Sequence, residues 1–210
     1  MPDELLYADA TSMTAGQLAR RQRIVEAVLD LLETTDLEKV GMREVAERSH
    51  VALGTTYRYF ASKEHLLAAA WAEWHRRLTR QVLAEMESED RSRAGAEDRV
   101  VAYIQRQLRS FQRTPNFAKV VVFVSTCPDT ATSEAIDELD VENEKVMRVL
   151  MGDIPEEYAR PARVAIGSTL LGALTSWTTG RTTLIQARRG VEEVVRFVMR
   201  AIPAADPDAS

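Results

Sequence analysis

MREVAERSHVALGTTYRYFASK, residues 42–63, is the stretch of this 210-residue chain that decides its fold. Apolar residues recur at three- and four-residue spacings on both sides of residues 50–52, which is the pattern of short amphipathic helices. The stretch therefore predicts two helices, Met42 to Ser49 and Leu53 to Phe60, separated by a tight turn.

The second of these helices is predicted to have one buried and one exposed side. Spacing directs three of its residues toward the core: Leu53, Thr56 and Phe60. The opposite side is predicted to be exposed, with Tyr57 at its border, and consists of Thr55, Arg58 and Tyr59. A short, rigid helix that exposes hydroxyls and a guanidinium suits a surface that contacts phosphates and base edges.

Long periodic segments flank this stretch, and the chain is therefore predicted to be all-α. Ala15 to Thr34 forms an amphipathic helix before it, and Ser62 is a good N-cap for a long helix that ends at about Glu87. Five further helices are predicted at about residues 96–113, 116–126, 131–151, 156–179 and 188–202.

Two domains and two tails follow from this pattern. Residues 15–62 are predicted to form a three-helix domain that contains the helix-turn-helix, and residues 63–203 a larger helical domain. The helix over residues 63–87 is long enough to connect the two. Residues 1–14 and 204–210 are predicted to be flexible tails.

The balance of charge bears on how the chain meets nucleic acid. The formal net charge is −5, and residues 17–63 hold eight Lys or Arg against seven Asp or Glu, a net of only +1. Basic groups must therefore be sorted onto one face if this part binds DNA. Arg20, Arg21 and Arg23 have two interpretations, as solvated surface residues or as a phosphate-facing cluster.

Several other classes of protein are disfavoured. No apolar run approaches the roughly 18 residues of a membrane span, and the acidic first residues do not resemble a secretory signal. Cys127 is the single cysteine, which favours the reducing cytoplasm. His50, His65 and His75 lack the spacing of a zinc site and no glycine-rich phosphate loop is present, so we expect no enzyme, metal or cofactor.

VGMREVAERSHVALGTTYRYFASKEHLL, residues 40–67, closely resembles the DNA-binding signature of the TetR family of bacterial transcription regulators. Residues 51–70, with the pattern near Ala162 to Thr179, are similar to the regulators of sterol degradation in actinobacteria, the KstR-like group. Three residues depart from the family pattern, at a helix start, in the turn and before the second helix: Gly41, His50 and Ala52. These changes affect the turn and its capping rather than the exposed face.

The resemblance implies a homodimer that binds a near-palindromic double-stranded DNA operator and represses transcription. Thr55 and Arg58 would then contact base edges, and the hydroxyls of Tyr57 and Tyr59 would contact phosphates. Lys63 would meet a phosphate at the start of the long helix. Arg43 is a further candidate for a phosphate contact, and it could equally be an exposed surface residue with no role in binding.

The resemblance also implies a pocket for a small hydrophobic effector, such as a sterol-derived or fatty acyl thioester. Large apolar residues of the second domain could line it, although plain core is the favoured interpretation for each of them taken singly. The candidates are Trp74, Leu108, Phe111, Phe117, Val121, Val124, Met147, Met151, Leu174 and Trp177.

The last two helices have a pattern that favours self-association. Small residues permit close helix approach at Gly167, Ser168, Gly172 and Ala173, and a valine-rich stripe from Val191 to Ile202 is predicted to be exposed in a monomer. Pairing with a second copy would form a four-helix bundle, and the alternative is packing within one subunit. A helical carrier of hydrophobic molecules without operator-specific binding is the remaining alternative for function.

Overall fold

A computed structural model of the chain describes residues 13–88, 94–152 and 154–203, and over these residues the fold is all-α. They form nine α-helices and one 3-10 turn, Leu37–Lys39, without a strand. The helices are α1 Ala15–Thr34, α2 Met42–Ser49, α3 Leu53–Tyr59, α4 Lys63–Ser88, α5 Ala96–Arg113, α6 Pro115–Ser125, α7 Thr130–Met151, α8 Glu156–Thr178 and α9 Leu184–Arg200. The predicted fold class is confirmed, and the predicted tails fall outside the described residues except at residues 13 and 14.

Most helix ends lie within one residue of the prediction, and α9 is the exception. It begins at Leu184 rather than at residue 188, because Thr183 and Gln186 form a capping box. Gln186 N–H donates to Thr183 Oγ1, and Gln186 Oε1 accepts from the Thr183 N–H. A Thr followed three residues later by Gln is a sequence signal for a helix start. The same arrangement of Thr14 and Gln17 begins α1.

The chain divides into two compact units, and the domain boundary at residue 62 stays a prediction. Of the described residues, one unit contains 13–77 and 119–139, and the other contains 78–88, 94–118, 140–152 and 154–203. The division therefore falls inside α4, α6 and α7. The helix-turn-helix shares its unit with the first half of α4 and with the adjoining parts of α6 and α7.

In the first unit, α1 packs on α2 and α3. Ile24, Val28 and Leu32 of α1 are completely buried at spacings of four, as is Phe60 at the end of α3. Burial of each such side chain contributes about 1.5–3 kcal/mol of hydrophobic free energy. This packing holds the two short helices in place, because helices of seven or eight residues are not stable alone.

In the second unit, α9 packs on α5 and α8. Its buried stripe consists of residues four apart, Ala187, Val191, Val195 and Met199. Glu97 of α5 accepts hydrogen bonds from Arg196 and Arg200 of α9 at distances of 3.0–3.1 Å, and these bonds link the two helices. No helix in the described ranges is both long enough and apolar enough to cross a membrane.

Candidate nucleic-acid interface

The turn between α2 and α3 is built around His50. This residue adopts the left-handed conformation, with φ 53° and ψ 37°, and closes α2. Its N–H donates to the Glu47 carbonyl at 3.3 Å, and the Val51 N–H donates to the Ala46 carbonyl at 3.1 Å. This pair of bonds satisfies the last carbonyls of α2 and turns the chain into α3. Among the described residues, His50 is the one residue other than glycine with a positive φ.

Helix α3 buries one side and exposes the other. Thr56 and Phe60 are fully buried, as predicted, and Thr56 Oγ1 donates to the Ala52 carbonyl at 3.4 Å. Arg58 is exposed, Tyr57 is 44% exposed, and Thr55 is half-buried. The face available to a duplex therefore carries a guanidinium, a phenol and a hydroxyl.

The prediction that Tyr59 belongs to the exposed face is wrong. Tyr59 is only 5% exposed and is part of the core. It lies three residues after Thr56 and directly before Phe60, so these three residues share the side of α3 that packs inward. Tyr59 is therefore not available as the phosphate contact that was predicted.

Two arginines of the helix-turn-helix are exposed and have no ion-pair partner within the described ranges, Arg43 of α2 and Arg58 of α3. A third, Arg48, is paired with Asp30 of α1 at 3.3 Å. Because exposed ion pairs contribute little, that contact leaves Arg48 able to exchange partners. Basic groups are thus placed on both helices of the helix-turn-helix.

Lys63 has a different environment from the one predicted. Its side chain is half-buried, and Nζ donates to the Leu37 carbonyl at 3.3 Å. In this position Lys63 joins the start of α4 to the 3-10 turn that precedes α2. Lys63 and Leu37 are 26 residues apart in the sequence, so helical periodicity could not predict this hydrogen bond.

Arg21 contributes to the core of this unit rather than to a phosphate-facing cluster. Its guanidinium lies 4.9 Å from the centre of the Phe60 ring, a cation–π contact. Burial lowers the pKa of Arg21, and repulsion from the Arg76 guanidinium adds to that effect. Arg20 and Arg23 are exposed. Exposure of Arg20 and Arg23 is compatible with either interpretation, whereas Arg21 fits neither of them and supports the end of α3.

His65, at the start of α4, completes the packing around Phe60. The two rings meet edge to face, with centroids 5.4 Å apart. His65 Nδ1 accepts from the Ala61 N–H at 3.3 Å, so the neutral ring carries its proton on Nε2. Burial lowers the pKa of His65 to about 4, and the Arg21 guanidinium acts in the same direction.

A hydrogen bond connects the capping residues of α4 and α7. Ser62 Oγ accepts from the His65 N–H at 3.0 Å, and Asp129 Oδ2 accepts from the Thr132 N–H at 2.9 Å. Ser62 Oγ also donates to Asp129 Oδ2, at 3.3 Å. Hydrogen bonds from Thr132 hold the pKa of Asp129 below its usual range. The residue that begins α4 is thereby tied to the residue that begins α7.

The ten residues predicted to line an effector pocket are distributed over both units. Trp74, Val121 and Val124 belong to the first unit, and the other seven belong to the second. Trp74 and Trp177 are half-buried, whereas the remaining eight are buried. Burial alone does not separate a pocket wall from plain core, so their role stays a prediction.

The surface of α8 and α9 differs from the predicted dimer surface in part. Val191 and Val195 are fully buried in the subunit and are not the exposed stripe that was predicted, because they face α5 and α8. The exposed apolar residues lie elsewhere on the two helices, with Val164 63%, Ile185 72% and Phe197 75% exposed. Gly167, Ser168 and Gly172 are also exposed. Among the residues whose positions are described, no cluster of His, Cys, Asp or Glu could hold a metal ion.

Comparison with known proteins agrees with this geometry. Residues 24–70 match the family model for bacterial regulatory proteins of the tetR family, and residues 94–198 match the tetracyclin repressor-like C-terminal domain. The chain is 29% identical over 188 residues to the HTH-type transcriptional repressor KstR of Rhodococcus jostii (strain RHA1), covering 88% of this chain and 84% of the relative.

Solved structures share the fold. A TetR transcriptional regulator from Rhodococcus sp. RHA1 superposes with a TM-score of 0.75 at 25% identity, over 90% of this chain and 100% of that one. The Thermus thermophilus repressor FadR, solved in complex with lauroyl-CoA, superposes with a TM-score of 0.65 at 16% identity, over 90% and 98%. The chain described here belongs to the tetR family of bacterial regulatory proteins.

Proposed function

We propose that the protein is a homodimeric repressor that binds a near-palindromic operator and is released from it by a small hydrophobic effector. The observation that carries this proposal is the exposed side of α3, where Arg58, Tyr57 and Thr55 project from a helix held by a buried core. The similarity to the KstR repressors over most of the chain supports the same role. No catalytic step is part of the proposal.

Operator recognition is assigned to named residues of α2 and α3. Arg58 can donate two hydrogen bonds to O6 and N7 of a guanine, and the half-buried Thr55 can contact a neighbouring base edge. The Tyr57 hydroxyl and the Arg43 guanidinium are proposed to contact phosphates, which fix the position of the protein on the duplex. Lys63 is a phosphate contact only if it leaves the Leu37 carbonyl.

Dimer formation is assigned to the exposed apolar surface of α8 and α9. Large apolar residues exposed by more than half, Val164, Ile185 and Phe197, share this surface with exposed glycines that allow close approach. Exposed apolar patches of this kind mark protein–protein contacts. A two-fold dimer presents two recognition helices, which must lie about 34 Å apart to enter successive major grooves.

The effector is proposed to be a coenzyme A thioester of a fatty acid or of a sterol-derived acid. The lauroyl-CoA complex of a protein with the same fold supports a thioester, and the KstR relatives support the interpretation as a repressor. Such a ligand must bind the DNA-free form more tightly, by about 5.5 kcal/mol to shift a 1:99 equilibrium to 99:1. Because the targets are bacterial operators, the cytoplasm is the proposed location.

Selection of duplexes from a random pool tests this proposal. A repressor of this kind enriches an inverted repeat, with an affinity that falls steeply as salt is raised. Addition of oleoyl-CoA or of a sterol-derived acyl-CoA to the selected complex is expected to release the DNA. A carrier of hydrophobic molecules would bind the thioesters without enriching any duplex, and that result would contradict the proposal.

A further inference from the structure

A cluster of polar side chains lies in the interior of the second unit, around the hydroxyl of Tyr103. Tyr103 is 1% exposed, and its hydroxyl donates to Asn143 Oδ1 of α7 at 3.2 Å. Gln107, one turn further along α5, is 5% exposed, and Thr79 of α4 is 8% exposed. Burial raises the pKa of Tyr103, and the nearby Thr79 and Gln107 side chains oppose that increase. Three helices thus contribute polar groups to one place.

Thr79 is the unusual member of this cluster. Its Oγ1 is buried, and within the described ranges no partner meets it with hydrogen-bonding geometry, although it approaches the Tyr103 phenol. Other threonines in the helices of this unit behave differently. Thr169 and Thr175 donate to the carbonyls four residues earlier, Ala165 and Leu171, at 2.7 and 2.8 Å. Thr79 makes no such bond.

Apolar residues share the helix faces that carry this cluster. Tyr103 and Gln107 share the buried face of α5 with Val100, Ile104, Leu108 and Phe111. Asn143 is followed at spacings of four on α7 by Met147 and Met151, which are 3% and 2% exposed. A buried hydroxyl without a partner is costly in such an interior, whereas valine would fill nearly the same volume without that cost. Binding sites for apolar ligands carry a few polar groups that fix orientation.

We propose that Thr79, Tyr103, Gln107 and Asn143 form an effector subsite for a single oxygen, a hydroxyl or a ketone, on an otherwise hydrophobic ligand. Thr79 Oγ1 donates to that oxygen or accepts from it, because a hydroxyl can do either. The inference rests on the proposed function and sharpens it, since an unsubstituted acyl chain leaves the Thr79 hydroxyl without a partner. Oxygenated ligands are therefore preferred over plain ones of the same size.

The first test needs no ligand and compares Thr79→Val with the matched control Thr175→Val by urea unfolding of the full chain. Thr79→Val is expected to raise the unfolding midpoint, because it removes a buried hydroxyl that has no partner. Thr175→Val removes a hydroxyl that is already bonded and is expected to leave the midpoint unchanged or lower. A fall in the midpoint for Thr79→Val would show that its hydroxyl is satisfied in the free protein and would overturn the proposal.

The second test measures release of the operator by ricinoleoyl-CoA and oleoyl-CoA, which differ by one hydroxyl. The wild-type protein is expected to respond to ricinoleoyl-CoA at about tenfold lower concentration, the effect of roughly one hydrogen bond. Thr79→Val should reduce this ratio to near one, whatever its response to oleoyl-CoA alone, and Thr175→Val should preserve the ratio. Equal responses in the wild type, or a ratio that survives Thr79→Val, would overturn the subsite.

The two tests separate failure of the subsite from failure of the proposed function. If neither thioester releases the operator, the proposed effector class is wrong, and the urea experiment still decides whether Thr79 lacks a partner. If both thioesters release the operator equally, the proposed function stands and the subsite does not.

Discussion

Ser62 and Asp129 cap two different helices and are hydrogen-bonded to each other, from Ser62 Oγ to Asp129 Oδ2 at 3.3 Å. Ser62 directly precedes α4 in the short segment that follows α3, and Asp129 directly precedes α7, which continues into the second unit. A change at the start of α7 therefore acts on the segment that follows α3. We therefore expect Asp129, from outside the helix-turn-helix, to help position the proposed DNA-binding surface.

Asp129→Ala is expected to weaken operator binding by about fivefold, because it removes the hydrogen bond from Ser62, about 1 kcal/mol, that holds the start of α4. A double-mutant cycle with Ser62→Ala should show that the two substitutions are not additive. Ser133→Ala is the matched control, since Ser133 Oγ donates to the Asp129 carbonyl rather than to Ser62. Additive effects, or unchanged operator affinity for Asp129→Ala, would show that the contact does not position α3.

Tyr57 and Tyr59 form a matched pair on α3 with opposite expected effects. Tyr59→Ala should reduce the free energy of unfolding by about 3–5 kcal/mol, because it empties part of the core. Tyr57→Ala should change stability by less than about 1 kcal/mol and should weaken operator binding, because its side chain is exposed. Urea unfolding and duplex titration measure the two quantities. Equal loss of stability in both variants would contradict the burial described for Tyr59.

Stability is expected to fall as the pH is lowered from about 6.5 toward about 4, because two buried histidines must take up protons on unfolding. Burial lowers the pKa of both His65 and His75 to about 4. The unfolded chain therefore binds more protons in this window, and the free energy of unfolding decreases with acidity by a few kcal/mol, about 1.4 per pKa unit for each group. Urea unfolding at pH 7 and 5 measures it.

His75→Gln is the variant that checks the origin of this pH dependence. It should reduce the loss of stability between pH 7 and 5 by about half, because one of the two depressed groups is removed. A loss as large as that of the wild-type protein would assign the effect to other groups.

Phe197→Glu is expected to shift the dimer toward monomer, because a charge on an exposed apolar contact surface opposes association. Phe197 is 75% exposed in the single chain and lies opposite the buried stripe of α9. Operator affinity should fall as the dimer is lost, because a single subunit reads only one half-site. Val141→Glu, at another exposed apolar residue, is the control. Sedimentation of Phe197→Glu as an undisturbed dimer would place the interface elsewhere.

Local periodicity was sufficient to predict most helices of this fold. The bounds of α1, α2 and α5 follow from apolar spacing and breakers, and the left-handed turn at His50 follows from the motif. Tyr59 was predicted to be exposed because helical spacing assigned α3 a narrow buried face. In the structure, residues over a wider arc of this seven-residue helix pack inward. Thr183 and Gln186 have the spacing of a capping box and indicate that α9 starts at Leu184. The predicted start at residue 188 followed the apolar pattern instead and missed this signal.

Long-range contacts of the candidate site could not be predicted from the sequence. Ser62 and Asp129 are separated by 67 residues, and Lys63 and Leu37 by 26, so no local spacing indicates either pair. The contact of Arg21 with Phe60 likewise depends on how α1 packs against the end of α3. Spatial neighbours of this kind are set by tertiary packing, and a single sequence does not encode them as a pattern.

Arg58 provides the most direct test of the claim that α3 reads a DNA groove. Operator affinity should be measured for wild type and Arg58→Ala on the selected operator and on variants with each guanine of a half-site replaced. We predict that Arg58→Ala loses about 1–3 kcal/mol of binding free energy and no longer discriminates at one base pair. Unchanged affinity together with unchanged preference at every base pair would contradict the account.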